Sequence, residues 1–400
     1  MVRLTSTKKF RSTLNGDDVR LEGIVTYGDN GTQNIWFDVP SKYRDYISER
    51  GELWAILLLP CAMVLGEDVQ IDLPVDPLLL ENLNGVQKIW AGWYRWVKQV
   101  EINAIEAVDT RPMRNGSGIF FSGGIDSYYS LIRLNKIIGN ATEAPNHLLT
   151  LWGFDIRLNK PRDFEGVKAL GHECAERFNS NLIPITTNLR ELIGYQSQFD
   201  WMSHSAALAS VGHLLSNQIS NVVIGSTHVI NELIPWGSHP LVDPLFSSAE
   251  TRIVHDGATV NRVDKTEAIC HVPTALTALR VCNRSRSREN CSKCSKCLRS
   301  MVTIDLCGQQ DGARSFDWST YSLDRVAGTY LSNMNEINFA REIMGAASER
   351  GREDIEQAIR RSILRSKLMR PLDWGLSKLG SVPHFWRYEE ALRRSIFGTY

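Results

Sequence analysis

The sequence has no long hydrophobic run. Its longest, Trp54 to Leu65 (WAILLLPCAMVL), covers twelve residues and carries Pro60. That is too short to cross a bilayer, and it predicts one or two buried strands. The opening residues, MVRLTSTKKF, have no apolar signal core, so the expectation is a cytoplasmic protein with no membrane partner. Net charge is also missing: Lys and Arg number 45, and Asp and Glu number 45. This balance argues against a surface coated in basic charge for nucleic acid, although a local patch remains compatible with it. There is no internal repeat and no low-complexity tract. Cysteine is not scarce, but four of the eight fall within sixteen residues. That crowding reads as a metal site in a reducing compartment rather than as a disulfide framework.

The chain has 400 residues, 43% of them hydrophobic, which is enough for two or three packed units. Residues 1–105 read as an N-terminal accessory domain, β-rich or α+β. Alternating runs at Val19 to Tyr27 and Asn34 to Pro40 predict strands, separated by the turn signal Gly28-Asp-Asn-Gly31. Leu78 to Val100 reads as helical or mixed. Its Trp90, Trp93, Tyr94 and Trp96 suit core or interface packing. Residues 106–117 are polar, with Pro and Gly, and read as a linker. Residues 118–309 read as an α/β core, and 310–400 as a helical C-terminal extension whose clearest helical run is Ile337 to Leu368, followed by Trp374, Phe385 and Trp386.

The core opens on GIFFSGGIDSYYSLIRL, Gly118 to Leu134. Ile119, Phe120 and Phe121 suit a buried strand, and Ser122, Gly123 and Gly124 a tight turn. Asp126 and Ser127 begin a helix whose Leu131, Ile132, Leu134 and Ile138 recur at helical spacing. A strand, a glycine turn and a helix N-terminus together make an anion site: backbone N–H groups converge, and no Cβ keeps a phosphate away. It is not a Walker A loop, since no G-x-x-x-x-G-K-[ST] surrounds it. Strands at His147 to Phe154, Asn181 to Thr186 and Asn221 to Gly225 alternate with helices at Gly166 to Phe178 and Ser203 to Ser216. Repeated βα units predict a parallel, doubly wound sheet with ligands beyond the strands' carboxyl ends. Gly153 and Phe154 sit at one such end, and Gly225 at another.

Cys282, Cys291, Cys294 and Cys297 read C-x8-C-x2-C-x2-C. Four thiolates at this spacing suit a tetrahedral structural zinc, with an iron–sulfur cluster as the rival. Arg280, Arg284, Arg286, Arg288, Lys293, Lys296 and Arg299 surround them. These cations would offset the four-thiolate charge and are also available to phosphate, a partner acid or nucleic acid. Cys61, Cys174, Cys270 and Cys307 read as small apolar residues.

The Ser-Gly-Gly-x-Asp-Ser string after an apolar strand resembles the pyrophosphate-binding loop of the PP-loop ATP pyrophosphatases, also classed with the adenine nucleotide alpha hydrolases. Together with the cysteine spacing, residues 117–305 resemble the 7-cyano-7-deazaguanine synthase (QueC) family. The resemblance implies that Phe121, Ser122, Gly123, Gly124, Ile125, Asp126, Ser127, Tyr128, Tyr129 and Ser130 bind ATP, with Gly153, Phe154 and Gly225 nearby. It implies that Asp126 helps hold Mg²⁺ and the phosphates, and that the four cysteines hold Zn²⁺. Asp264-Lys265-Thr266-Glu267 is similar to the family's Lys-x-Glu element, which makes Asp126, Ser127 and Lys265 the catalytic candidates. The flanking 110 and 90 or so residues depart from that compact family, as does the wording of Thr227 to Ser248. Enlarged relatives occur in antiphage operons (Qat, type IV CBASS) and are implicated in joining a deazaguanine to a partner protein's N-terminus.

The implied reaction is ATP-dependent ligation. The carboxylate of 7-carboxy-7-deazaguanine or a related acid is adenylated, pyrophosphate leaves, and the acyl group passes to an amine. That amine is ammonia in the family, or here the N-terminus of a partner protein encoded nearby. His228 and His239 are candidate proton shuttles, and Asp243 is a candidate reader of base donor groups. A structural histidine, a turn residue before Pro244 and, for Lys265, a surface lysine are the plainer readings. Two rivals stand beside this one. A PP-loop tRNA-modifying enzyme would want a further cysteine pair and a broad basic surface. A non-catalytic nucleotide-binding module would not turn over ATP.

Overall fold

A computed structural model describes residues 1–11, 17–29, 31–108, 114–137, 144–193, 195–282, 289–380 and 396. Ten strands form one sheet: β1 (Val2–Arg11), β2 (Asp18–Tyr27), β3 (Gly31–Pro40), β4 (Val69–Val75), β5 (Ile102–Glu106), β6 (Gly116–Phe120), β7 (His147–Trp152), β8 (Asn181–Thr187), β9 (Ile219–Gly225) and β10 (Arg252–Asp256). The helices are α1 (Glu52–Leu65), α2 (Pro77–Trp93), α3 (Ile125–Ile137), α4 (Pro161–Arg177), α5 (Tyr195–Gln198), α6 (His204–Leu214), α7 (Arg262–Cys270), α8 (Pro273–Thr277), α9 (Ser295–Leu306), α10 (Leu323–Ala327), α11 (Met334–Glu349) and α12 (Glu353–Gly380).

The strand order is β10-β9-β6-β7-β8-β3-β2-β1-β4-β5. From β6 to β10 every pairing is parallel. The order reverses at β6: β7 and β8 extend one way, and β9 and β10 the other. Right-handed crossovers then carry α4 and α6 to opposite faces, which makes this half of the sheet doubly wound. The connection from β6 leaves at the reversal, the position where such sheets bind ligands. β3 pairs antiparallel with β8 through Phe37 and Asp38, so strands from the first hundred residues continue the same sheet.

Two compact units result: residues 1–122 with 130–258, and residues 123–129 with 259–400. The first unit holds the sheet and the larger core. β2 alternates strictly, burying Val19, Leu21, Val25 and Tyr27, as a half-buried strand requires. Gly23 lies on the same face because Trp54 covers it; a Cβ there would meet the indole at 2.3 Å.

Trp54 to Leu65 is not one or two strands but most of helix α1. Its residues from Glu52 to Met63 are all buried. A segment surrounded by core carries no amphipathic period, so a short apolar run does not reveal which element it forms. Gly66, at φ 67°, ends the helix in the left-handed region.

The second unit is helical and packs Val263, Val302, Ile337, Ile343, Ala347, Ile355 and Ile359 in its own core. Ile337 to Leu368 is not one run: α11 ends at Glu349, Gly351 turns the chain at φ 66°, and α12 starts at Glu353. Trp374 is exposed on α12, and Phe385 and Trp386 lie outside the described residues. Among the described residues no helix is long and apolar enough to cross a membrane.

Candidate anion site and metal centre

After β6, the Phe121 N–H donates to the Leu149 carbonyl at 2.8 Å, and Thr150 Oγ1 donates to the Phe121 carbonyl at 2.9 Å. Gly123 follows at φ 76°, a backbone state that disfavours any residue with a Cβ. Helix α3 starts at Ile125, with Asp126 in its first turn. Ser127 Oγ donates to the Gly124 carbonyl at 3.0 Å. Ser127 thus closes the turn and steadies the first coil of the helix.

Asp126 sits among cations of the same unit. Arg262 Nη1 lies 3.0 and 3.3 Å from its two carboxylate oxygens, and Lys265 Nζ lies 3.7 Å from Oδ1. Arg262 and Lys265 are three residues apart on α7, which places them on one face. The side chain of Asn261 caps that helix by accepting from the Asp264 N–H at 2.9 Å. Lys265 is 1% exposed and Asp126 is 20% exposed. The Phe339 ring of α11 lies beneath both guanidinium groups, with Arg262 Cζ at 5.2 Å and Arg299 Cζ at 4.4 Å from its centroid. The Arg262 N–H donates to Glu342 at 3.0 Å. Arg262, Lys265 and Arg299 thus cluster around Asp126, while Glu342 holds the Arg262 backbone.

Burial works to raise the Asp126 pKa, but Arg262, Lys265 and Arg299 outweigh it and hold the carboxyl below its ordinary range. Burial lowers the Lys265 pKa, with Arg262 adding to the effect and Asp126 opposing it. The buried Nε atoms of Arg262 and Arg299 have no hydrogen-bond partner among the described residues. Together with Ile125 and Thr266, these groups line a small cavity. The arrangement suits an anion with several oxygens.

The four predicted metal ligands converge, and their donor atoms all lie within 4.8 Å of one another. The Sγ–Sγ distances are 3.9 Å for Cys282–Cys294, 3.8 Å for Cys291–Cys297 and 3.4 Å for Cys294–Cys297. A tetrahedron with Zn–S bonds of about 2.3 Å has an edge of about 3.8 Å, so the set fits zinc. Ser292, at φ 56°, bends the chain between the second and third ligands. Cys294 caps α9 and Cys297 lies in its first turn. The Asn290 side chain ties the first ligand's backbone to this knuckle, accepting from the Val281 and Cys282 N–H groups at 2.8 and 3.1 Å. Just before it, the Arg280 N–H donates to the Gly123 carbonyl at 2.8 Å. The segment that carries the thiols therefore also holds the glycine turn. Arg284, Arg286 and Arg288 lie outside the described residues.

No protein-family model, curated protein or solved structure matches this chain.

Of the remaining candidate site residues, Tyr128 is buried in the second unit, Tyr129 of that unit has its ring centroid 5.7 Å from Lys265 Nζ, and the others belong to the first unit. Gly153 stands at φ 101°, and a Cβ there would lie 1.8 Å from the Thr187 carbonyl. Phe154 packs edge-on against Phe199 at 5.7 Å, Gly225 ends β9, and Ser130 is buried. His228 is buried against Trp236 at 5.9 Å, and His239 lies against Trp93 at 4.7 Å. Asp243 is fully buried. It accepts from Ser238 Oγ at 2.7 Å and the His239 N–H at 2.9 Å, and its Oδ2 lies 2.7 Å from His255 Nδ1. Its carboxylate therefore knits the Ser238–Asp243 turn to β10. Burial lowers the His239 pKa against the pull of Asp243.

Sequence reasoning brought Asp126, Ser127 and Lys265 to one place. It missed Arg262, although the three-residue spacing to Lys265 was a usable signal, and it missed Phe339 and Glu342, which arrive from a distant helix. Arg299 was noted as a basic residue near the thiols but not as a neighbour of Asp126.

Proposed function

We propose that this chain is an ATP-dependent ligase that cleaves ATP between the α and β phosphates to activate a carboxylate. One observation carries the reading: a buried lysine and a half-buried arginine from one helix face converge on the carboxylate that opens the helix after Gly123 and Gly124. Support also comes from the reversal of strand order at β6 and from the resemblance of the loop and cysteine spacing to the PP-loop and QueC-type enzymes.

A carboxylate is a poor acyl electrophile because its oxyanion is a poor leaving group. In the proposed reaction a carboxylate oxygen attacks the α phosphorus, the bond to the bridging oxygen breaks, and pyrophosphate departs. Lys265, Arg262 and Arg299 neutralise the charge growing on that leaving group, and the N–H groups at the start of α3 point at it. Mg²⁺, held with the phosphates by Asp126, would supply further neutralisation. An amine then attacks the acyl carbon and AMP leaves. Cys282, Cys291, Cys294 and Cys297 would hold a zinc through four thiolates, which would leave it no open position and give it a structural role. The proposed acid is 7-carboxy-7-deazaguanine or a close relative. The proposed acceptor is ammonia or a partner protein's N-terminus, in a reducing cytoplasm, with a role in antiphage defence.

Acid labelled with ¹⁸O in its carboxylate tests the chemistry directly. Adenylation followed by transfer leaves one labelled oxygen in AMP, whereas label appearing elsewhere contradicts it. Intact-mass analysis of neighbouring gene products in the same reaction reads the acceptor. Binding of ATP without any AMP would support a nucleotide-binding module instead.

A further inference from the structure

A second pair of cysteines lies apart from the metal ligands. Cys61 and Cys174 are buried in apolar surroundings, as the sequence suggested. Cys270 and Cys307 instead share a side-chain hydrogen bond where the ends of the packed helices α7 and α9 come together. Cys270 is the last residue of α7 and is buried; Cys307 follows the last turn of α9 and is half-buried. Arg350, at the end of α11, places Nη1 3.8 Å from the Cys307 sulfur and donates from Nη2 to Glu267 at 2.8 Å. A helix C-terminus disfavours an anion, so this guanidinium is the counter-charge that a Cys307 thiolate requires. The Cys270 thiol donates towards Cys307 and Arg350 adds to that effect, lowering the Cys307 pKa, while Cys270 keeps its proton more tightly.

We propose that Cys270 and Cys307 form an oxidation-sensitive pair in which a hydroperoxide converts the two facing thiols into one disulfide that joins α7 to α9. The Cys307 thiolate attacks a peroxide oxygen. The O–O bond breaks, the leaving oxygen takes a proton and departs as water or an alcohol, and Cys307 becomes a sulfenic acid. The Cys270 sulfur then attacks the Cys307 sulfur, the S–O bond breaks, and water departs with the Cys270 proton. The two thiols supply two electrons and the peroxide accepts them. The helices joined are those that carry Arg262, Lys265 and Arg299, so the bond would fix their spacing. The thiol chemistry itself stands independently of the proposed ligase activity.

The test uses full-length, zinc-loaded protein treated with hydrogen peroxide in the absence of ATP, then alkylated, digested and mapped by mass spectrometry. The expected result is a Cys270–Cys307 cross-linked peptide, reversed by dithiothreitol. Cys270→Ser should leave a Cys307 sulfenic acid that dimedone traps, and Arg350→Ala should slow the oxidation by removing the counter-charge that favours the Cys307 thiolate. Both thiols remaining fully alkylatable in the wild-type protein, or oxidation confined to the four zinc thiols, would overturn the proposal. Wild-type mapping alone decides it should a variant fail to fold.

Discussion

Asp126 gains its position from charge rather than from shape. Its pKa is depressed in the folded chain, so its pairing contributes stability above the ordinary carboxylate value of about 3.9. That contribution is lost as pH falls through the lower folded value. Denaturation across a pH series should therefore show this contribution intact at neutral pH and fading only in acid, and Asp126→Asn should remove that acid-side dependence. The substitution leaves Arg262 and Lys265 facing each other and should cost about 1–3 kcal/mol. No loss of stability at pH 7 would mean that the cations do not depend on Asp126. Elsewhere, Gly23→Ala should cost about 1–3 kcal/mol, because the Trp54 ring must move to admit a methyl group. Chemical denaturation measures this directly.

Among the elements, those with a clear period were legible and those without one were not. β2 alternates, and β6 to β9 are apolar runs between turn signals, so each was visible in the sequence. α1 was hidden because core surrounds it. β1 was hidden for the opposite reason: it buries Val2 and Leu4 and then exposes a polar Thr-, Ser- and Lys-rich remainder. The thiol spacing indicated the four-cysteine cluster, but not that Arg280 links it to Gly123. That link leads to an expectation. Removing zinc with a chelator should weaken nucleotide binding as well as lower the melting temperature, and Cys294→Ser should do the same. Calorimetry on zinc-free and zinc-restored protein reads both effects; unchanged nucleotide affinity without zinc would separate the thiol knuckle from the turn.

At the scale of the whole molecule, one sheet joins strands from the first hundred residues to a doubly wound half whose order reverses at β6. The sequence pattern indicated the parallel half because each βα unit is local. Pairing of β3 with β8 is a long-range event with no local signal, and so the strand runs and the polar segment that follows them suggested a separate N-terminal domain. The same contrast holds at the site: Asp126 and Ser127 lie in one string, whereas Arg262, Arg299 and Phe339 come together only through tertiary packing. The central claim is cleavage of ATP at the α phosphate, promoted by the cations around Asp126. The measurement that tests it most directly is the product distribution from ATP labelled at both the α and the γ phosphates, with Mg²⁺ and the candidate acid, for wild type and Lys265→Ala. The account predicts AMP and pyrophosphate in equal amounts, formed about 10²-fold more slowly by the variant. ADP and phosphate as products, or equal rates for the two proteins, would contradict it.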